Sequence, residues 1–157
     1  MFTSTYQQIK PAGFRTITRQ KILDLLSLKY RNSDQLENYK DFPRVQFIYL
    51  HSVFNDEIEN FKSTIQFLGR HFTFISYDKA VQKISNQSID KPYICISFDD
   101  GFKNNYIIAK YLAEMSIPAM FFICTGFIGL KKYKDIKQVC NDKFHLPPVE
   151  FMDWSDI

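Results

Sequence analysis

Tyr93-Ile94-Cys95-Ile96-Ser97-Phe98-Asp99-Asp100-Gly101 is an apolar run that ends in two adjacent carboxylates and a glycine. The run reads as a buried strand and the glycine as the turn that closes it. Neighbouring side chains on a strand point to opposite faces. Two acids together at a strand's end therefore seldom serve packing: one can face a metal or a substrate while the other takes a second role. The plainer reading is a turn, since Asp-Gly is a common turn dipeptide and Asp accepts backbone hydrogen bonds readily. Two carboxylates in one turn also repel each other, a cost that a cation between them would remove.

Around this stretch the pattern alternates. Val45–Leu50 reads as a strand, followed by a helix with Ile58, Phe61, Ile65 and Leu68 on one face. Phe72–Ile75 is a short strand. Ser76 caps a helix that turns Ala80, Val81 and Ile84 inward. After the turn-rich 86–92 come Tyr93–Phe98, a helix over Asn104–Met115 with Tyr106, Ala109, Leu112 and Ala113 toward the core, and a strand over Pro118–Cys124. Strands alternating with helices imply βα units and a parallel α/β sheet, in which function sits at the carboxyl ends of strands. Asp99 and Asp100 occupy such an end.

The flanks are less regular. Residues 1–15 read as a loose leader, and a helical pattern from Thr18 aligns Ile22, Leu25, Leu26 and Leu28. A polar loop over 31–44 comes next. Lys10 to Arg44 holds eight Lys/Arg against four acids, which reads as a solvated helix and loop. Beyond Gly129, Lys131–His145 is a polar, lysine-rich insertion and Pro147-Pro148 an extended segment. Phe151–Ile157 reads as the entry to a helix, capped by Asp153 or Ser155, without a helix body. That pattern predicts a sequence that is cut rather than finished. The expected division is a leader and helix over 1–43 and a partial domain over 44–157, with its motif core at 92–157.

With 157 residues, 45% of them hydrophobic, and 16 Phe and 9 Tyr, the chain can bury a core as one domain. A charge of +3 without a stripe of interleaved Lys/Arg and aromatics predicts no nucleic-acid partner. Cys95, Cys124 and Cys140 form no short metal spacing and are expected to be reduced. The N-terminus shows no signal-peptide pattern and no run reaches a membrane span, so the default location is cytoplasmic. No internal repeat is present.

Other acid-pair chemistries suit the residues less well. Haloacid-dehalogenase phosphatases need Asp-x-Asp. Response-regulator receivers need an Asp closing a later strand, where this chain has Phe121-Phe122-Ile123-Cys124-Thr125-Gly126. Ser97-Phe98-Asp99-Asp100-Gly101, in contrast, resembles the Thr-Phe-Asp-Asp-Gly motif of the polysaccharide deacetylases (NodB-homology domain, carbohydrate esterase family 4). Tyr49-Leu50-His51-Ser52-Val53 is near the family's Tyr-His-x-Val, with Leu50 inserted. Phe72-Thr73-Phe74-Ile75-Ser76 is similar to its strand before a Ser-capped helix. Ile117 to Gly129 is similar to its Ile-Pro-Ala-Thr-Phe-Phe-Val-x-Thr-Gly strand, and Met152-Asp153-Trp154 to its Met-x-Trp. The likeness covers roughly residues 44–157, in the family's order.

The resemblance implies the N-terminal part of a distorted (β/α) barrel with parallel strands, preceded by the helical leader. It implies metal-dependent hydrolysis of N-acetyl (or O-acetyl) groups on a carbohydrate, with Asp99 as the base and Asp100 as a ligand of a divalent metal, usually zinc. The family's His-x-x-x-His, Arg-x-Pro-Tyr and final catalytic His have no counterpart here: the histidines are His51, His71 and His145. His51 ends a strand and is the candidate cleft residue. His71 precedes a strand, and His145 sits in the insertion. The chain alone is therefore expected to be inactive and to hold no metal stably. The alternative is a non-catalytic remnant or accessory binding module in polysaccharide metabolism, and the reading frame past the Ile157 codon discriminates the two. A barrel cut partway also predicts self-association through an exposed apolar face, with Phe121, Phe122 and Ile123 the most exposed stretch.

Overall fold

The computed structural model describes residues 1–9 and 41–157. The helix expected from Thr18, and the loop after it as far as residue 40, lie outside the described residues. Among the described residues, β1 (Arg44–Leu50), β2 (Thr73–Phe74), β3 (Pro92–Phe98) and β4 (Ala119–Phe121) form a four-stranded sheet. Helices α1 (Ile58–Gly69), α2 (Tyr77–Ser85) and α3 (Asn105–Glu114) connect successive strands, and α4 (Tyr133–Val139) comes after the sheet. Every strand pairing is parallel. The architecture is the α/β arrangement that the alternating apolar runs predict.

β3 is the axis of the sheet. One edge pairs with β1 along its whole length, from Arg44 opposite Pro92 to Leu50 opposite Phe98. The other edge is shared: β2 takes Tyr93 and Ile94, and β4 takes Ile96 to Phe98. Ile94, Ile96 and Phe98 are each 1% exposed and pack with Ile65 of α1 and with Ile108 and Leu112 of α3. Tyr93 and Cys95 pack with Ile75 and Ala80 in a separate cluster. Burying each such side chain contributes about 1.5–3 kcal/mol.

The helices obey the expected pattern in part. Ile58, Phe61, Ile65 and Leu68 of α1 all join the core, as their spacing predicts. Ser76 caps α2, its hydroxyl accepting from the Lys79 amide at 3.4 Å. Ala80 is buried there, but Val81 and Ile84 are exposed, against expectation. In α3 the buried positions are Asn105, Ile108 and Leu112, and Ala113 lies outside. The helix is rotated relative to its predicted face because its first residue, a polar one, is drawn inward to bond the loop after β1.

A second core explains where sequence patterning failed. The stretch 131–145, read as a polar insertion, contains α4 and a wider helical turn over Cys140–Phe144. Ile136 and Cys140 are buried with Phe54, Phe102, Val149 and Phe151. Lysines on the outer side of this short helix mask its apolar face. Residues 1–9 are no loose leader either. Phe2 and Ile9 pack on this core, the Thr3 amide donates to Pro148, and the Asp56 carboxylate accepts from the Tyr6 and Gln7 amides at 2.7 and 3.2 Å. Residues 153–156 close a turn in which the Ser155 amide donates to the Asp153 carboxylate at 2.9 Å. All three cysteines are free, with Cys95 and Cys140 buried and Cys124 exposed. Among the described residues no helix is long and apolar enough to cross a membrane.

One side of the sheet stays open. Phe47, Tyr49, Tyr77 and Phe122 are exposed, and Tyr77 contacts the rings of Phe47 and Phe122 at 5.9 and 6.2 Å. Phe122 carries the exposure expected of the 121–123 stretch, while Phe121 stacks on Phe98 at 4.9 Å. Contiguous exposed aromatic surface favours association. The chain is expected to self-associate at micromolar concentration, and light scattering showing a monodisperse, cooperatively melting monomer would count against this. In urea titrations, Ile94→Ala in β3 should lose about 2–5 kcal/mol. Ile107→Ala, on the exposed side of α3, should stay within about 0.5 kcal/mol of the parent chain.

Candidate active site

The acid pair sits at the carboxyl end of β3, the rim where the parallel pattern places it. The Asp99 amide donates to the Leu50 carbonyl at 2.9 Å, carrying the β1–β3 pairing one residue past the strand. The chain then reverses sharply. The Gly101 amide donates back to the Asp99 carbonyl at 3.0 Å, and Asp100 between them has φ +71°. A hydrogen bond across one positive-φ residue is the rarer, strained form of γ-turn. Asp tolerates this backbone better than most residues. Gly101 is also left-handed, at φ +74°, and a Cβ there would lie 2.9 Å from Ile123 Cγ2.

Strain of this kind costs on the order of 1–3 kcal/mol and persists only where the surroundings hold it. Here the 149–152 segment does so. Met152 N–H donates to the Gly101 carbonyl at 2.9 Å, and Lys103 N–H to the Glu150 carbonyl at 2.8 Å. Phe102 and Phe151 form an antiparallel bridge, with their rings stacked at 5.1 Å. Of the Met-x-Trp stretch, Met152 thus braces the acid turn through its backbone amide, while Trp154 is exposed.

His51 arrives at the same rim from β1. The loop that carries it is tied down by Asn105, which is fully buried at 0% exposure. Asn105 Nδ2 donates to the His51 carbonyl at 2.8 Å, and its Oδ1 accepts from the Val53 amide at 3.1 Å. Asn104 Nδ2 adds a bond to the Val53 carbonyl at 3.1 Å. The result places His51 Nε2 3.9 Å from Asp100 Oδ2, with the histidine side chain 57% exposed and the aspartate 19%. Tyr49 lies edge-on to the imidazole, 6.0 Å between ring centres. Burial pushes the Asp100 carboxyl above its usual range; His51 opposes this and the neighbouring Asp99 carboxylate adds to it.

Three of the residues marked in the sequence, Asp99, Asp100 and His51, are therefore brought together. His71 precedes β2 at the opposite rim, its ring against Phe67 at 5.1 Å. His145 ends the turn after α4 and lines a separate cavity with Lys137, Asn141 and Pro147. Asn105 was not anticipated. An Asn in the first turn of a helix is ordinary, and only the approach of the β1 loop gives it a role. Among the described residues no group of three His, Cys, Asp or Glu side chains is placed to hold a metal ion. A catalytic zinc centre takes three protein ligands plus water. The described residues place Asp100 and His51 3.9 Å apart with no third donor converging on them, and so do not complete one.

No protein-family model matches the sequence, and no curated protein matches it. Among solved structures, IcaB from Ammonifex degensii is similar at a TM-score of 0.59 and 17% identity, over 73% of this chain and 47% of that one. The likeness shows that the two share a parallel α/β fold over the matched part. The deacetylase domain of BpsB from Bordetella bronchiseptica matches with 19% identity and a TM-score of 0.40, over 74% of this chain and 42% of that one. In both pairs the chain spans less than half of its neighbour's length. A partial barrel with parallel strands accords with the open sheet described above.

The raised Asp100 carboxyl has a consequence for stability. The folded chain holds this proton more tightly than the unfolded one. Stability should therefore fall as pH rises from the ordinary carboxylate value of 3.8 through the raised folded value, and level off above it. Asp100→Asn removes that loss and accepts the positive φ. In metal-free protein it should be more stable than the parent at neutral pH, with the gap closing below the carboxylate range. Urea melts across pH measure this, and a variant less stable than the parent at neutral pH would refute the account.

Proposed function

We propose that this chain forms part of a polysaccharide-deacetylase-type domain that hydrolyses N-acetyl (or O-acetyl) groups on a carbohydrate, with its chemistry centred on Asp99 and Asp100. The observation that carries this reading is the acid pair itself, held in a strained turn at the carboxyl end of the central parallel strand. Asp99 comes directly after β3, with its amide fixed to Leu50. That anchored backbone suits a general base, which must stand at a set distance from the water it deprotonates. Asp100, turned by its positive φ toward His51, is the metal ligand in this assignment. A divalent ion, zinc by the resemblance, would supply the Lewis acidity that lowers the pKa of water and polarises an acetamide carbonyl.

The second reading is a non-catalytic binding or accessory module. It is favoured by the lack, among the described residues, of three converging metal donors, and by the exposed Tyr49 ring beside His51, which suits stacking on a sugar. Acetate release from N-acetylated oligosaccharides, with zinc or cobalt added, separates the two. The 157-residue chain is expected to give none. If the reading frame past the Ile157 codon encodes His-x-x-x-His, co-expression of that segment should give turnover. In that protein Asp99→Asn should keep the metal and lose turnover, while Asp100→Ala should lose the metal. Equal metal content in Asp100→Ala and the parent would overturn the assignment. Turnover by the 157-residue chain, abolished by Asp99→Asn, would overturn the expected inactivity.

A further inference from the structure

We propose that the cleft between α4 and the Leu146–Pro148 segment is a second binding site, which takes a sugar bearing a carboxylate or a phosphate and holds the anionic group with Lys137 and His145. It shares no residue with the acid rim and stands independently of the function proposed there. The cavity measures about 420 Å³ and is lined by Lys137, Asn141, His145, Leu146, Pro147 and Pro148. Small-molecule sites usually occupy about 300–1,000 Å³ and pair apolar walls with a few polar groups. Lys137, Asn141 and His145 are spaced four apart, so the helical path through α4 and the turn after it brings them to one side. They offer an ammonium, an amide and an imidazole. Leu146, Pro147 and Pro148 are half-buried and supply an apolar wall, which suits the C–H face of a pyranose ring.

Charge selects the ligand. No Asp or Glu is among the residues that line the cavity. The stretch 131–145 holds five lysines against Asp135 and Asp142, so the local field favours an anion. The Asp142 carboxylate accepts from Asn141 Nδ2 at 3.0 Å, which steadies that side chain. The apolar wall is fixed from behind. Cys140 is fully buried, and its Sγ accepts from the Val149 amide at 3.4 Å and donates to the Val149 carbonyl at 3.5 Å. The Leu146 amide donates to the Cys140 carbonyl at 3.1 Å, and the Thr3 amide to the Pro148 carbonyl at 2.8 Å. His145, at φ +54°, takes the left-handed backbone that carries the chain from the wide helical turn into this wall. Wide turns of this kind often occur at functional sites, and a wall ordered in advance lowers the cost of binding. Cations near the end of a helix also offset its dipole. That accounts for the charges and not for the apolar cavity beside them.

The test is an NMR titration of the 157-residue chain at low salt with glucuronic acid, glucose 6-phosphate, glucose and inorganic phosphate. Both charged sugars are expected to bind at millimolar concentration, more tightly than glucose or phosphate, and the tighter of the two names the anionic group. Lys137→Ala should weaken their binding by about 10-fold. His145→Gly, which removes the imidazole and accepts the positive φ, should do the same. Added salt should weaken binding by the parent and have less effect on the double variant. Glucose bound as tightly as the charged sugars would overturn the anionic assignment, and phosphate bound as tightly would overturn the sugar. If Lys137→Ala and His145→Gly lower the urea midpoint but bind as the parent does, the two side chains are structural and the proposal fails. It fails equally if neither charged sugar binds, or if Asp99→Asn is what abolishes binding, since the ligand would then sit at the acid rim.

Discussion

The pairing of β3 on both edges is the constraint on which the rest depends. A parallel strand with β1 along one side, and β2 and β4 sharing the other, has its backbone groups satisfied and both faces available for packing. Its side chains then divide: Ile94, Ile96 and Phe98 toward α1 and α3, Tyr93 and Cys95 toward α2. Because the strand is held along its length, the position of its last residue is fixed to within a hydrogen bond. The acid pair inherits that accuracy.

The turn at the end of the strand runs against local preference. Asp100 and Gly101 both take left-handed backbone, and two carboxylates sit side by side with one of them largely buried. These are costs, and the neighbouring elements offset them. The 149–152 segment bonds the turn from one side, the Phe102–Phe151 stack seals it, and Asn105 locks the β1 loop from the other side. Strain and like charge are thus concentrated at one rim and held there by support from two sides.

The second core has a matching purpose. Phe2, Ile9, α4 and the 144–151 stretch surround Phe102 and Phe151, the residues that brace the acid turn. A segment that looks from its composition like a surface insertion thereby stabilises the site. The open side of the sheet, with Phe47, Tyr77 and Phe122 exposed in one row, contrasts with this completeness.

The parallel α/β class, the strand positions and the placement of Asp99 and Asp100 at a carboxyl rim were legible from the sequence, because period and composition are local properties that survive without a tertiary context. The Asp-Asp-Gly turn was legible for the same reason. Three things were not. The inward face of α3 depends on Asn105 meeting the β1 loop, 52 positions from Val53. The apolar side of α4 is outweighed in composition by the lysines around it. The docking of residues 1–9 rests on partners such as Asp56 and Pro148, far away in the chain. Each is a long-range contact whose energy appears only once the sheet has brought distant segments together. The sequence by itself therefore determined that two acids close a parallel strand at its carboxyl end, and the tertiary structure decided that His51 would stand beside Asp100.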